Sequence, residues 1–417
     1  MGIITKHDRI VFVEVLEKIF KQTFWQVLGK VVTVFSSVLI LGIISRNYKE
    51  AGTGIITLAI TYLSIFYLLV DFGFNAHELK RFNSSDINPQ SELRKLFGVR
   101  FVWSILLTVA AVSLLPFWSF SKMQFEQSVL FGSLAIISTG FFATCNLFFQ
   151  YKVKYELSVV SSVFGVLVNL LLVWIFALYN LPVPFLLLAY LAGSAATTII
   201  ALFFLGSYKV RITPLFDFKY LKSLTKQSWP IAATLALNVV YFRADSFMIA
   251  SFRGLSDAGI YNVAYSIFQS TLVLPSFIMN AYYPLMLKSF KHTKSVALGL
   301  FFLSVLGTVL TLILAPFVIG LITGKGFEGS SLSLQILSLG FPAYFMSSLL
   351  MWVLVTKNMY KKMLFIYAVG LLFNLTTNFV YIPKFSYLAA SSTTVISEYL
   401  ILLLQLFFLK GLLDKAD

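Results

Sequence analysis

Residues 228–269 read SWPIAATLALNVVYFRADSFMIASFRGLSDAGIYNVAYSIFQ, an apolar stretch of membrane length with charges inside it. Pro230 opens the stretch and suits the first turn of a helix. Thr234, Asn238, Tyr241 and Asp245 follow at steps of four, three and four, which stacks them on one helical face. Asp245 lies 15 residues past Pro230, which is roughly 22 Å along a helix axis. A carboxylate that deep in a hydrocarbon core about 30 Å thick costs at least ~2.5 kcal/mol and marks a functional position. Arg243, two positions away, projects to nearly the opposite side, so the two do not neutralise each other. Each needs a partner or water from elsewhere in a helix bundle.

The rest of the chain has the same character. Of 417 residues, 59% are hydrophobic and 12% charged, against roughly 45–50% apolar content in soluble domains. About twelve apolar spans follow one another, near 24–46, 51–72, 97–119, 125–148, 157–178, 183–206, 229–250, 259–286, 295–322, 331–355, 362–382 and 386–409. The opening residues are mixed and charged and do not read as a cleavable secretion signal. Cys145 is alone, and His7, His77 and His292 are far apart, so no disulfide, metal site or cofactor is expected. The net charge of +15 is distributed by membrane side: of 32 Lys and Arg, 23 fall in one set of alternate loops and 6 in the other. Positive loops stay in the cytoplasm. Both termini are therefore expected there, and nucleic acid is not an expected partner.

The chain also repeats itself. Gln26, Lys30, Thr33 and Ser37 in the first span match Thr234, Asn238, Tyr241 and Asp245 at an offset of 208, and Glu50-Ala51-Gly52 matches Asp257-Ala258-Gly259 at 207. Gly165 and Asn169 recur as Gly370 and Asn374. Two parallel six-helix halves result: 1–206, with 1–23 as a cytoplasmic or interfacial segment, and 228–417, joined by a basic cytoplasmic linker, 207–227. Within the first segment, residues 9–22 read equally as a surface-lying or a docked helix.

Three cations, Lys30, Arg100 and Arg243, fall inside spans. Lys30 and Arg100 either snorkel to the interface or line a cavity. Asp71 closes the second span and could equally cap a loop. In the eighth span Asn262 and Gln269 share a face, with Pro275 as a hinge; Pro316 and Pro342 read similarly. Asn374 and Asn378 sit one turn apart, and Glu398 falls near the bilayer centre. The longest loop, about Asn75 to Lys95, is cytoplasmic.

Several of these residues carry a family likeness. Asn374 and Asn378, Ile382-Pro383-Lys384, Ala389-Ala390 and Ser397-Glu398 resemble the last two helices of the polysaccharide flippases. These are the O-antigen and teichoic-acid exporters of the multidrug/oligosaccharidyl-lipid/polysaccharide superfamily. Pro214 to Asp217 running into Trp229-Pro230, Arg243-Ala244-Asp245, Asp257 to Tyr261, and Asp71-Phe72-Gly73 follow the same pattern. Ser386 departs from it, standing where the family often has Gly. The resemblance implies an all-α membrane protein, two six-helix bundles around a central cavity, in a bacterial cytoplasmic (inner) membrane. It implies alternating-access transport of an undecaprenyl-pyrophosphate-linked oligosaccharide to the outer leaflet, without enzymatic chemistry.

On that reading Lys30, Arg243 and Arg100 meet the pyrophosphate, and Gln26, Asn238, Tyr241, Asn262, Gln269, Asn374 and Asn378 supply polar contacts to the sugar. Asp245, Glu398 and Asp71 couple to H+ or Na+. Gly320 to Gly326 is one residue short of a nucleotide loop, which leaves an ion gradient or substrate removal as the energy source. Membrane lipids and the polysaccharide polymerase machinery are the expected neighbours. The alternatives are a drug/cation antiporter of the same superfamily and a membrane polymerase or glycosyltransferase.

Overall fold

The computed structural model describes residues 6–82, 89–120, 122–210 and 212–413, with side chains described except at 6–21, 23, 76, 80, 234–240 and 411–413. The side chains of Thr234 and Asn238 therefore lie outside the described residues. All regular structure among the described residues is helical. Helix α1 (Lys6–Asp71) has 66 residues, about 100 Å at 1.5 Å per residue, three times a hydrocarbon core. It breaks at Lys49, whose φ of 54° is left-handed. There follow α2 (Phe74–Phe82), α3 (Pro89–Ser113), α4 (Met123–Ser133), α5 (Ala135–Tyr151), α6 (Tyr155–Leu178) and α7 (Phe185–Ser207). The second half holds α8 (Phe218–Arg253), α9 (Leu255–Thr271), α10 (Val273–Met286), α11 (Thr293–Thr323), α12 (Glu328–Ser338), α13 (Phe341–Thr356) and α14 (Tyr360–Leu413), the last broken at Ser386.

Seven helical stretches are long and apolar enough to cross a membrane, eight with α12 and α13, which bend by 45°. Two of the seven, in α1 and α14, contain the breaks at Lys49 and Ser386 and so make two crossings each. The remaining pair, α8 and α9–α10, carry enough polar side chains to lower their hydropathy. Counted together, the described helices are enough for the twelve crossings expected of this all-α integral membrane protein.

The internal repeat is visible in the backbone. Six of the eleven left-handed residues among those described form pairs across the two halves: Lys49 with Gly254, Val153 with Asn358, and Asn180 with Ser386. The offsets are 205, 205 and 206, slightly shorter than most of the sequence matches. Ser386 occupies a conformation that glycine adopts without cost; its hydroxyl bonds the Asp257 carboxylate.

Two breaks lie beside prolines. Pro275 has no N–H for the carbonyl of Thr271, and its ring crowds that carbonyl; the chain divides at Leu272, between α9 and α10. Pro342 stands at the start of α13, next to the 45° bend. At Pro316 the helix α11 continues without a break. The stretch Asn75 to Lys95, read as a loop, is largely helical, holding most of α2 and the start of α3.

The chain packs as two units. Where the sequence divides it at 207–227, the packing places the divisions inside helices: 1–40 with 59–240, and 41–58 with 241–417. The first unit has a core that includes Leu93, Phe97, Phe149, Leu205, Tyr220 and Leu224. The linker is part of it. Leu215 N donates to Arg94 O at 2.9 Å and Arg94 Nε to Thr213 O at 3.1 Å, laying the segment along α3. Asp217 then caps α8 by accepting from Tyr220 N at 3.0 Å. That bond, with Lys95 nearby, holds the Asp217 carboxyl below its usual range.

In the second unit, the start of α1's second half crosses α9 at glycines. A Cβ on Gly54 would stand 1.8 Å from Leu255 O, and one on Gly259 would stand 2.3 Å from Glu50 O. Only hydrogen fits there.

Candidate functional site

The Asp245 face of α8 meets α14 and α9 inside the second unit. Asp245 is buried. Its Oδ1 accepts from Asn378 Nδ2 at 2.7 Å; its Oδ2 accepts from Tyr261 OH at 2.8 Å and Thr394 Oγ1 at 3.0 Å. Asn378 Nδ2 also donates to Asn374 Oδ1 at 3.0 Å. Both neighbours of that nitrogen are acceptors, which fixes the orientation of the Asn378 amide. Its Oδ1 is consequently left buried with no hydrogen-bond partner.

One turn before Asp245, Tyr241 OH donates to Glu398, which Tyr344 also bonds. Thr394 and Glu398 are themselves one turn apart, so the face shared by Tyr241 and Asp245 meets a matching face of α14. Among the described residues, neither Asp245 nor Glu398 forms an ion pair. Their hydrogen-bond partners are neutral. Charge on a carboxylate buried among neutral partners is costly, and a proton or a cation at the site would offset that cost.

Arg243 faces α9. It donates to Gln269 Oε1 at 3.2 Å, and its guanidinium stands 5.9 Å from the centre of the Tyr265 ring. It is half-buried and forms no ion pair with a described residue. Farther along α9, Asn262 accepts from Ser246 and donates to Thr57 Oγ1 at 3.0 Å.

The structure thus brings together Tyr241, Asp245, Asn374, Asn378 and Glu398, with Arg243, Gln269 and Asn262 on the same helices. Tyr261, Thr394, Tyr265 and Tyr344 join them without having been singled out. Thr394 had one usable signal, its position a turn before Glu398. Tyr261 appears in the Asp257 to Tyr261 motif but without a role attached.

The other expected residues lie in the first unit. Lys30 and Gln26 are exposed on α1. Arg100, 1% exposed, donates to Asp71 Oδ1 at 2.6 Å, Asn75 Oδ1 at 2.9 Å and Thr144 Oγ1 at 3.2 Å. A substrate cation and a coupling carboxylate of the sequence reading are here paired with each other, the guanidinium buried and the Asp71 carboxylate about one-third exposed. Asp71 also accepts from Asn75 N at 3.4 Å, as a loop cap does. Removing one partner strands the other: Asp71→Leu should destabilise the protein by about 3–5 kcal/mol, and adding Arg100→Leu should restore most of it. Thermal unfolding of the wild type and both variants in detergent checks this; equal stability of the single and double variants would contradict it.

Comparison with known proteins gives the setting. A family model described as polysaccharide biosynthesis protein matches residues 19–290. No curated protein sequence matches the chain. Among solved structures, the lipid II flippase MurJ in an inward closed conformation is similar with a TM-score of 0.75 at 14% identity, over 94% of this chain and 87% of that one. An inward-facing multidrug resistance MATE family transporter of the MOP superfamily follows at 0.71 and 11%, over 92% and 95%. A MOP superfamily transporter from Pyrococcus furiosus has 0.60 and 11%, over 95% of each chain. At these identities the likeness is one of fold. The family match covers well over half of the chain, so the protein belongs to the polysaccharide biosynthesis protein family, built on the fold of the MOP-superfamily transporters.

Proposed function

We propose that the protein is a flippase for an undecaprenyl-pyrophosphate-linked oligosaccharide, an O-antigen, capsule or related repeat unit, working by alternating access and driven by a cation gradient. The observation that carries this is the pairing of opposite needs in the second unit. Arg243 is a membrane-embedded cation with no described carboxylate partner. Asp245 is a buried carboxylate with no cation, beside the unpartnered Asn378 Oδ1. The first suits the pyrophosphate of a lipid-linked sugar, whose oxygens a guanidinium can grip in pairs. The second suits a proton or a sodium ion, for which Asp245, Asn378 and Thr394 supply oxygens.

A lipid-linked sugar keeps its tail in the bilayer, and only the polar head must be shielded from hydrocarbon. The half-buried Gln269 beside Arg243 is suited to bind sugar hydroxyls, whereas Asn262 is buried and engaged by Ser246 and Thr57. The cytoplasmic termini, the bacterial inner membrane and association with a polysaccharide polymerase belong to the same proposal. The antiporter alternative draws on the MATE-like fold, but a drug cation has no use for Arg243.

Proteoliposomes separate the two. Fluorescent undecaprenyl-pyrophosphate oligosaccharide should become protected from an external enzyme or quencher only when the protein is present, and a lipophilic dye cation should not be moved. Dye transport without lipid-sugar transport would replace this reading with the antiporter.

A further inference from the structure

The first three turns of α8 carry a face used neither by the packing of the first unit nor by the Asp245 network. At about 100° per residue, Phe218, Trp229, Lys222, Lys226 and Lys219 fall in that order within an arc of roughly 100°. Tyr220, Leu224 and Ser228 occupy the other side and are buried. Phe218 is 84% exposed and Trp229 58%; Phe216, just before the helix, is 66% exposed. Lys219, Lys222 and Lys226 are exposed and make no ion pair with any described residue. The one acid close in sequence, Asp217, is engaged by Tyr220 N and stands 3.8 Å from Lys95; Lys219 is near enough to act on its charge, which leaves Lys222 and Lys226 without an acid nearby in sequence.

We propose that this face is a docking surface for anionic phospholipid headgroups, which seats the start of α8 on the membrane. Uncovered aromatic rings favour the boundary between headgroups and acyl chains, and lysines lacking counter-charges attract acidic lipid. The arc runs directly into Trp229 and Pro230, where the apolar span begins, so the surface is continuous with the start of the apolar span of the same helix. An acidic protein would satisfy the lysines equally well, but that continuity favours lipid. The proposal rests on the membrane-spanning fold and is independent of what is transported.

The test uses the full chain in nanodiscs with a polarity-sensitive dye on Ser223→Cys, an exposed position beside the arc. Cys145 is the single native cysteine and is fully buried, so it stays unlabelled. Quenching by neutral acrylamide should fall about twofold when phosphatidylglycerol is added to phosphatidylcholine, and high salt should reverse the change. Lys219→Gln/Lys222→Gln/Lys226→Gln in the same background should abolish it, with unchanged thermal stability in phosphatidylcholine as the fold check. Should the triple variant fail that check, the comparison of the two lipids in Ser223→Cys alone decides. Equal quenching in both lipids, a shift that survives in a folded triple variant, or protection by an added acidic polypeptide in place of anionic lipid would each overturn the proposal.

Discussion

Arg243→Ala is expected to cut translocation of the pyrophosphate-linked saccharide by roughly tenfold to a hundredfold while leaving the protein folded and inserted. A hydrogen bond to a charged group contributes about 1.5–3 kcal/mol, and each ~1.4 kcal/mol is a factor of ten. The fold should survive because, among the described residues, Arg243 makes one side-chain bond, to Gln269, and a ring contact with Tyr265. It therefore leaves no buried counter-charge behind when removed. Arg243→Lys keeps the charge but loses the planar fork, and should retain part of the activity. The check is the initial rate of lipid-sugar protection in proteoliposomes at equal protein density. Wild-type rates from Arg243→Ala would take this residue out of the substrate site.

Asp245→Asn should have an equally large effect of a different kind. The amide is the same size and still accepts from Tyr261 and Thr394 through its oxygen. Its nitrogen faces the Asn378 amide nitrogen if the neighbours stay in place, and it can neither take up a proton nor neutralise a sodium ion. Downhill equilibration of the substrate should persist at a reduced rate, whereas the response to an imposed sodium or pH gradient should vanish. Glu398→Gln serves as the comparison, since Glu398 is bonded by Tyr241 and Tyr344 and has no counterpart of the Asn378 amide that bonds Asp245. Unchanged gradient dependence in both variants would dismiss coupling through these carboxylates.

What could be read in the sequence was set by what is expensive in a membrane. Asp245, Arg243, Asn378 and Glu398 stand out because each costs free energy inside hydrocarbon, and helical spacing alone put Tyr241 and Asp245 on one face. Tyr261 and Thr394 did not stand out, because a hydroxyl in a membrane helix is unremarkable until its partner is seen. Arg100 and Asp71 were visible singly, but their pairing depends on how α3 meets the end of α1, which no spacing along one helix reveals. Lys49, Val153 and Asn358 were equally opaque. They are ordinary residues in left-handed conformations, and only the backbone shows that they close corresponding corners of the two halves. The glycine expectation at Ser386 was sound about the turn, since the position has a positive φ, and it missed the hydroxyl bond to Asp257 that accompanies serine there.

On the proposed function, a cation held at Asp245 is what makes lipid-sugar transport directional. The most direct measurement is the final distribution of a fluorescent undecaprenyl-pyrophosphate oligosaccharide between the two leaflets of proteoliposomes, with and without an imposed sodium or proton gradient. A distribution driven clearly away from equal occupancy by one of the gradients, abolished by the matching ionophore and absent in Asp245→Asn, is the predicted result. Equal occupancy of both leaflets whatever the gradient, at wild-type rates of equilibration, would contradict it.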